Sequence, residues 1–309
     1  MRRGIAAVGR TLVTAGLLIL LFVAYQLWGT NILEARAQNA LERDFERLQE
    51  DFAPPETPET TPVTAAPTTT TTVPLAPPLP PAEGEVVGII EIPKIGLTKF
   101  FVQGTSREDL KKGPGHYPAT PMPGQQGNAA IAGHRTTYGA PFNRLDELAP
   151  GDEISVTYAN GAEYVYEVRE QVIVSPKDTW VVDNTLTAEL TLTTCHPKYS
   201  ARQRLVVKAD LVVQESPPVA EFDPATLPEP VAEIPGDEDL ALEDGLQGEH
   251  KSLGPAYGWG ALAALVGLAW WWLFRRWRHP LTWLVGVGPF LVFLFVFYVF
   301  LERALPAGY

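Results

Sequence analysis

The chain has 309 residues, enough for one or two domains and a sizeable core. Its averages, 46% hydrophobic, 19% charged and a net charge of −12, describe an ordinary acidic soluble protein. Yet residues 1–29 carry +3, residues 254–309 carry +3, and 30–253 must therefore hold −18. That acidity argues against nucleic acid as a partner, since binding there rests on Lys and Arg neutralising phosphates. One cysteine excludes an intramolecular disulfide and a zinc finger.

Between Arg10 and Glu34 there is no charged residue, and 17–28 is almost wholly apolar, long enough to span a hydrocarbon core. A cleaved signal peptide is the competing reading, with Ala35-Arg36-Ala37 as a small-x-small site. The apolar run is longer than a usual signal core and that site lies well beyond it, so an uncleaved anchor is expected. Residues 30–52 predict a continuing helical stalk, with Leu41, Phe45, Leu48 and Phe52 at helical spacing, and solvent exposure as its expected state. Residues 53–84 hold ten prolines and nine threonines, a composition that predicts a disordered, extended tether.

Residues 85–214 read as the folded domain. Short β-branched and aromatic runs at 86–92, 97–103, 128–133, 153–158, 163–174, 188–195 and 204–213 are bounded by turn signals, which predicts an all-β barrel or sandwich. Asn160-Gly161 between two of them is a strong hairpin signal. Residues 215–253, with eleven acids and one lysine, predict a second disordered linker. At 252–274 and 280–301 lie two uncharged spans separated by Arg275-Arg276-Trp277-Arg278-His279 and flanked by tryptophans, as an interfacial belt requires. Basic loops stay cytoplasmic. The expected topology is therefore three spans in a lipid bilayer, with the N-terminus inside and 30–253 outside.

The sole cysteine, Cys195, ends a run in which Leu190 and Leu192 would face the core while Thr191, Thr193 and Cys195 face away. An antiparallel partner strand resuming after residues 196–203 would bring Arg204 beside it. His134 ends another strand-like run, 128–133. Of the other histidines, His250 and His279 lie outside the domain, His196 would point to the opposite face from Cys195, and His116 competes. Cysteine, histidine and arginine at strand ends make a covalent-catalysis set of nucleophile, proton exchanger and oxyanion partner. No metal-ligand set is apparent, and no cofactor is expected.

At these residues the chain resembles the sortases, membrane-anchored cysteine transpeptidases of Gram-positive surfaces. The motif Thr-Leu-x-Thr-Cys reads Thr191-Leu192-Thr193-Thr194-Cys195, and the Ala-Gly-His strand end reads Ala132-Gly133-His134. The stretches 133–142 and 195–204 resemble actinobacterial class E, and Ile90-Glu91-Ile92-Pro93-Lys94-Ile95 matches the family's early strand. The resemblance covers essentially all of 86–214. It implies an eight-stranded β-barrel with short helices, flanked here by transmembrane helices and disordered linkers. Cys195 becomes the nucleophile, His134 the acid/base and Arg204 the stabilising arginine, with Arg202 its rival. Tyr117, Thr193 and Thr194 become substrate-binding residues, Tyr117 at the place of a substrate-selecting tyrosine.

The implied reaction cleaves a Leu-Ala-x-Thr-Gly or Leu-Pro-x-Thr-Gly sorting signal of a secreted protein between Thr and Gly. It then joins the Thr to a cell-wall precursor or pilin amine. The alternatives are a non-catalytic membrane-tethered assembly module, a surface cysteine peptidase, and an L,D-transpeptidase, whose Ser-His-Gly-Cys pattern is absent around Cys195. The chain departs from the family plan of a single anchor by carrying apolar segments at both ends.

Overall fold

The alternating runs of the middle segment form β1 (Val86–Ile92), β2 (Leu97–Gln103), β4 (Asn128–Ala132), β5 (Glu153–Tyr158), β6 (Glu163–Val174), β7 (Glu189–His196) and β8 (Gln203–Leu211). A two-residue strand, β3 (Gly115–His116), completes the set; it is too short to leave a periodic signal. The eight strands close into a barrel in the order β1-β2-β3-β4-β7-β8-β6-β5. The computed structural model describes residues 2–52, 77–213, 215–219, 254–274 and 280–304. Most of the two expected linkers, and the basic loop 275–279, lie outside the described residues.

Alternation decides which side chains fill the barrel. Ile90, Ile92, Ile154, Val156, Leu190 and Leu192 point inward with Phe101 and Ile131, all wholly buried. Two core tyrosines bring hydroxyls with them, and both are satisfied by one loop. Tyr158 Oη donates to the Pro123 carbonyl at 2.7 Å, and Gly124 N donates to Tyr166 Oη at 2.7 Å. A buried hydroxyl left unpaired would cost about 1–3 kcal/mol, so these bonds pin the 121–125 loop against the barrel. The Asn160-Gly161 turn joins β5 to β6 as its sequence requires, with Ala162 N donating to Asn160 Oδ1 at 3.0 Å.

Two compact units make up the chain, Asn31–Leu246 and Met1–Thr30 with Gln247–Tyr309. In the first, α2 (Thr30–Phe52) is helical as its spacing predicts, but it is not a solvated stalk. Leu41 and Phe45 are buried against Val86, Val102 and Phe100 of the barrel wall. Gln38 accepts from Phe100 N and donates to the Phe100 and Lys112 carbonyls, at 3.0, 2.9 and 2.7 Å. Burying two large apolar side chains stabilises this docking by about 3–6 kcal/mol. The error in the expectation was to treat an amphipathic stripe beside charged residues as unpartnered; the exposed outer face of β1 and β2 is its partner. Phe52 and Pro77 thus belong to one unit.

The second unit contains α1 (Arg2–Ala24), a π-turn at Tyr25–Gly29, α4 (Gly254–Phe274) and α5 (Pro280–Ala304). Short helices within the barrel unit include α3 (Arg107–Leu110). Among the described residues, two helical stretches are long and apolar enough to cross a membrane, Leu12–Phe52 and Gly254–Leu273, and Gly288–Leu301 is a shorter apolar stretch. Tyr25, Leu294 and Tyr298 form a small buried cluster, and Tyr298 Oη donates to the Leu18 carbonyl at 2.7 Å. Leu12, Val13, Ile19 and Leu20 of α1 and Leu265, Leu268 and Trp272 of α4 are exposed.

Candidate active site

Three strands converge on the site. β7 runs antiparallel to β8 and places Cys195 directly opposite Arg204. β4 runs parallel to β7 with Ala132 level with Thr193, and Gly133 N donates to the Thr193 carbonyl at 3.1 Å. His134 follows two residues after the end of β4. Of the expected trio, strand pairing brings Cys195 and Arg204 together.

Cys195 is half-buried, on the outward face of β7 with Thr193. Apolar side chains flank it. Leu110 of α3 and Ala132 pack against Cys195 and Tyr117 on one side. Val174, Val181 and Val206 pack against Tyr117 on the other. Asn128 fixes that second wall by donating to the Val181 and Asp183 carbonyls, each at 3.1 Å, while its Oδ1 accepts from Thr191 Oγ1 at 2.7 Å.

Arg204 is wholly buried. Its Nη1 donates to the Ala201 and Gln203 carbonyls at 2.8 and 3.1 Å, whereas Nε and Nη2 are buried without an acceptor. A guanidinium is always charged and carries only donors, so two N–H groups opposite the cysteine are left unspent. Arg202 precedes β8 and is exposed, which separates it from this role.

The His134 ring lies 5.3 Å from the Tyr138 ring, and its Nε2 is buried with no hydrogen-bond partner. Burial pushes its pKa down to about 4, and the nearby cations Lys111 and Arg107 push the same way. Burial raises the Cys195 thiol against the opposing pull of Arg204 and Arg135. Both shifts favour the uncharged forms, thiol and imidazole.

His116, the competing histidine, is spent on structure. It is wholly buried, with Nδ1 2.9 Å from Gln103 Oε1 and Nε2 2.8 Å from the Pro121 carbonyl. His196 points away from Cys195, towards Arg135, as alternation requires.

The three expected substrate contacts divide. Tyr117 Oη lies 3.1 Å from Thr193 Oγ1, on the Cys195 face, and burial raises the tyrosine pKa to about 12. Thr194 faces the other way: wholly buried, its Oγ1 donates to the Gly133 carbonyl at 2.7 Å. That corrects its assignment as a substrate contact. Its hydroxyl ties the end of β7 to the residue before His134.

Arg135 is a residue the sequence reading left without a role. Nearly buried, it donates from Nη1 to the Cys195 carbonyl at 3.2 Å and pairs from Nη2 with Asp146 at 2.9 Å. Only the return of the chain over β7 brings it there, and no local pattern announces that. Gly133 is the other such residue. A Cβ on it would stand 2.6 Å from the Phe142 ring, so glycine is what lets Phe142 pack beneath the turn into His134.

A half-buried cysteine thus stands opposite a buried arginine with unspent donors on the barrel wall. The family model that matches residues 90–212 is that of the sortase domain. Sortase SrtE1 of Streptomyces coelicolor is 31% identical over 222 residues, 67% of this chain and 56% of that protein. Sortase D of Bacillus subtilis is 40% identical over 120 residues, 38% of this chain and 58% of that protein. The chain thus spans little more than half the length of these two relatives. It spans 92% of the putative sortase YwpE of Bacillus subtilis, at 34% identity and 34% of its own length. A solved structure of sortase E from Streptomyces avermitilis is 37% identical, covering 42% of this chain and 90% of that one with a TM-score of 0.39. The chain belongs to the sortase family.

Proposed function

We propose that the protein is a membrane-anchored cysteine transpeptidase acting on sorting signals of the Leu-Ala-x-Thr-Gly or Leu-Pro-x-Thr-Gly type. The observation that carries this reading is the pairing of Cys195 with Arg204, whose Nε and Nη2 are buried and unspent. The similarity to Sortase SrtE1 supports the class E character.

In the proposed reaction the Cys195 Sγ attacks the threonine carbonyl as its proton passes to His134. Negative charge develops on the carbonyl oxygen, where Arg204 Nε and Nη2 supply the donors. The C–N bond to glycine breaks as His134 returns the proton to the leaving amine. An imidazolium with a pKa of about 4 gives up that proton readily, which suits this second half of the step. A cell-wall or pilin amine then attacks the thioester and gives its proton to His134; the C–S bond breaks, and the released Cys195 thiolate takes that proton back to complete the exchange. Tyr117 contacts the residue ahead of the scissile bond in this reading, which its hydrogen bond to Thr193 on the Cys195 face supports.

Topology belongs to the same proposal. The apolar stretches at 12–29, 254–274 and 280–301 cross a bilayer with the N-terminus and 275–279 inside, and the barrel unit lies outside. The exposed apolar side chains of α1 and α4 support this, because soluble surfaces seldom carry such patches.

The test uses the full chain in detergent micelles, because α2 is part of the barrel's packing. Both peptide types are incubated with and without an amine acceptor, beside Cys195→Ala. The expected result is amine-dependent product from the wild-type chain only. Cleavage that ignores the amine would make the protein a peptidase, and no cleavage would make it a binding module.

A further inference from the structure

The loop 134–142, which carries His134, is gripped from outside the barrel by α2. We propose that Asn31 and Glu34 of α2 are positioning residues that hold this loop, and through it His134, in register with Cys195. The inference rests on the catalytic reading above and extends it to a helix outside the barrel.

The loop is strained where the helix meets it. Tyr138, Gly139 and Ala140 are consecutive left-handed residues, with φ of 49°, 72° and 44°. For the two non-glycine residues such a backbone costs on the order of 1–3 kcal/mol each and persists only when its surroundings impose it. Local turns supply part of the restraint: Ala140 N donates to the Thr137 carbonyl at 2.9 Å and Phe142 N to the His134 carbonyl at 3.1 Å. The middle residue is held by the helix instead. Gly139 N donates to Asn31 Oδ1 at 3.0 Å, across 108 positions of sequence. A Cβ on Gly139 would stand 2.6 Å from the Glu34 carboxylate, so helix and loop backbone are in direct apposition.

The helix is itself locked. Glu34 is buried and pairs with Lys99 Nζ of β2 at 2.6 Å. One turn on, Gln38 makes its three bonds to the Phe100 and Lys112 backbone, so α2 cannot slide along the barrel. On the loop's inner side the buried Tyr138 ring lies tilted at 5.3 Å from the His134 ring, with Lys111 Nζ 5.8 Å above the Tyr138 ring. Contacts thus run without a gap from α2 through Gly139 and Tyr138 to His134. Docking of the helix as such is carried by Leu41 and Phe45, two and three turns further along, which separates positioning from stability.

The test compares Asn31→Ala, Asn31→Asp and Phe45→Ala in the full chain in detergent micelles. Measured quantities are kcat and KM for amine-dependent transfer, hydrogen–deuterium exchange over 134–142, and the Cys195 alkylation rate. Asn31→Ala is expected to speed exchange over 134–142 and to lower kcat by about 10- to 100-fold with KM within twofold, as misplacing a reacting group does. Asn31→Asp, which keeps an acceptor for Gly139 N, should restore both. Phe45→Ala should lower thermal stability more than Asn31→Ala does. Unchanged exchange in Asn31→Ala, or a kcat loss that Asn31→Asp does not restore, overturns the proposal. If the wild-type chain transfers neither peptide, the transpeptidase reading fails by itself, and exchange over 134–142 still decides whether α2 holds the loop.

Discussion

Arg204 is the residue on which geometry and chemistry agree most closely. It is buried, opposite Cys195, and has donors to spare. Lysine in its place keeps a charge but loses the planar edge, so Arg204→Lys should fold and lower kcat by about 10²–10³-fold, the usual effect of removing an oxyanion donor. Steady-state kinetics with a matched thermal melt checks this; a loss under threefold would remove Arg204 from the reaction. Histidine burial has a second consequence. His116 is held at about 4 against an ordinary 6.5, so between those values the unfolded chain binds more protons than the folded one. Its contribution is therefore present above pH 6.5 and is lost as pH falls towards 4. Between pH 6.5 and 5, above most carboxylate titrations, the loss is on the order of 2 kcal/mol. His134 adds the same sign, weakened by its partial exposure. Urea melts at the two pH values, compared with His116→Gln, should show a smaller pH slope in the variant, and equal slopes would contradict the assignment. At this scale the juxtaposition of Cys195 and Arg204 was legible because strand ends and period-two alternation are local features. Thr194 was misassigned because its neighbour's role was extended to a side chain on the opposite face, and Arg135 stayed silent because its contacts span 60 positions.

Strand register, more than any loop, assembles the site. β4 and β7 run parallel, a pairing that needs a long connection and leaves no mark at either strand, whereas the β5–β6 hairpin was evident from Asn160-Gly161. The end of β4 depends on Gly133. Gly133→Ala would press a methyl group into the buried Phe142 ring, and overpacking of that kind costs about 1–3 kcal/mol. Because the next residue is His134, activity should fall by more than the stability loss explains. Adding Phe142→Leu to Gly133→Ala should recover stability; if the single variant is as stable and as active as wild type, the close approach does not matter. For α2, the amphipathic stripe was legible and its partner was not. A helix shows its own buried face in sequence, but the surface that receives it is assembled from Val86, Val102 and Phe100 of two strands.

The near-zero average hydropathy of the whole molecule arises from two units with opposite surfaces. One is a polar-skinned barrel with α2 laid against it, and the other consists of apolar helices whose side chains are exposed. Apolar length is plain in sequence because it is a matter of composition, and so is the Pro/Thr-rich tract. In the proposed topology both ends of the barrel unit are tied to the bilayer, where lipid-linked acceptors and membrane-held sorting signals arrive. Deleting residues 254–309 should then reduce protein anchoring at the cell surface while leaving peptide transfer in detergent within twofold of wild type. Unchanged anchoring in cells would dismiss the confinement idea. The central claim, covalent catalysis at Cys195, is tested most directly by intact mass of the full chain minutes after mixing with a sorting-signal peptide and no amine. The account predicts an added mass equal to the peptide through its threonine, located on Cys195, released by hydroxylamine and missing in Cys195→Ala. An unmodified wild-type chain alongside cleaved peptide, or the same adduct on Cys195→Ala, would contradict it.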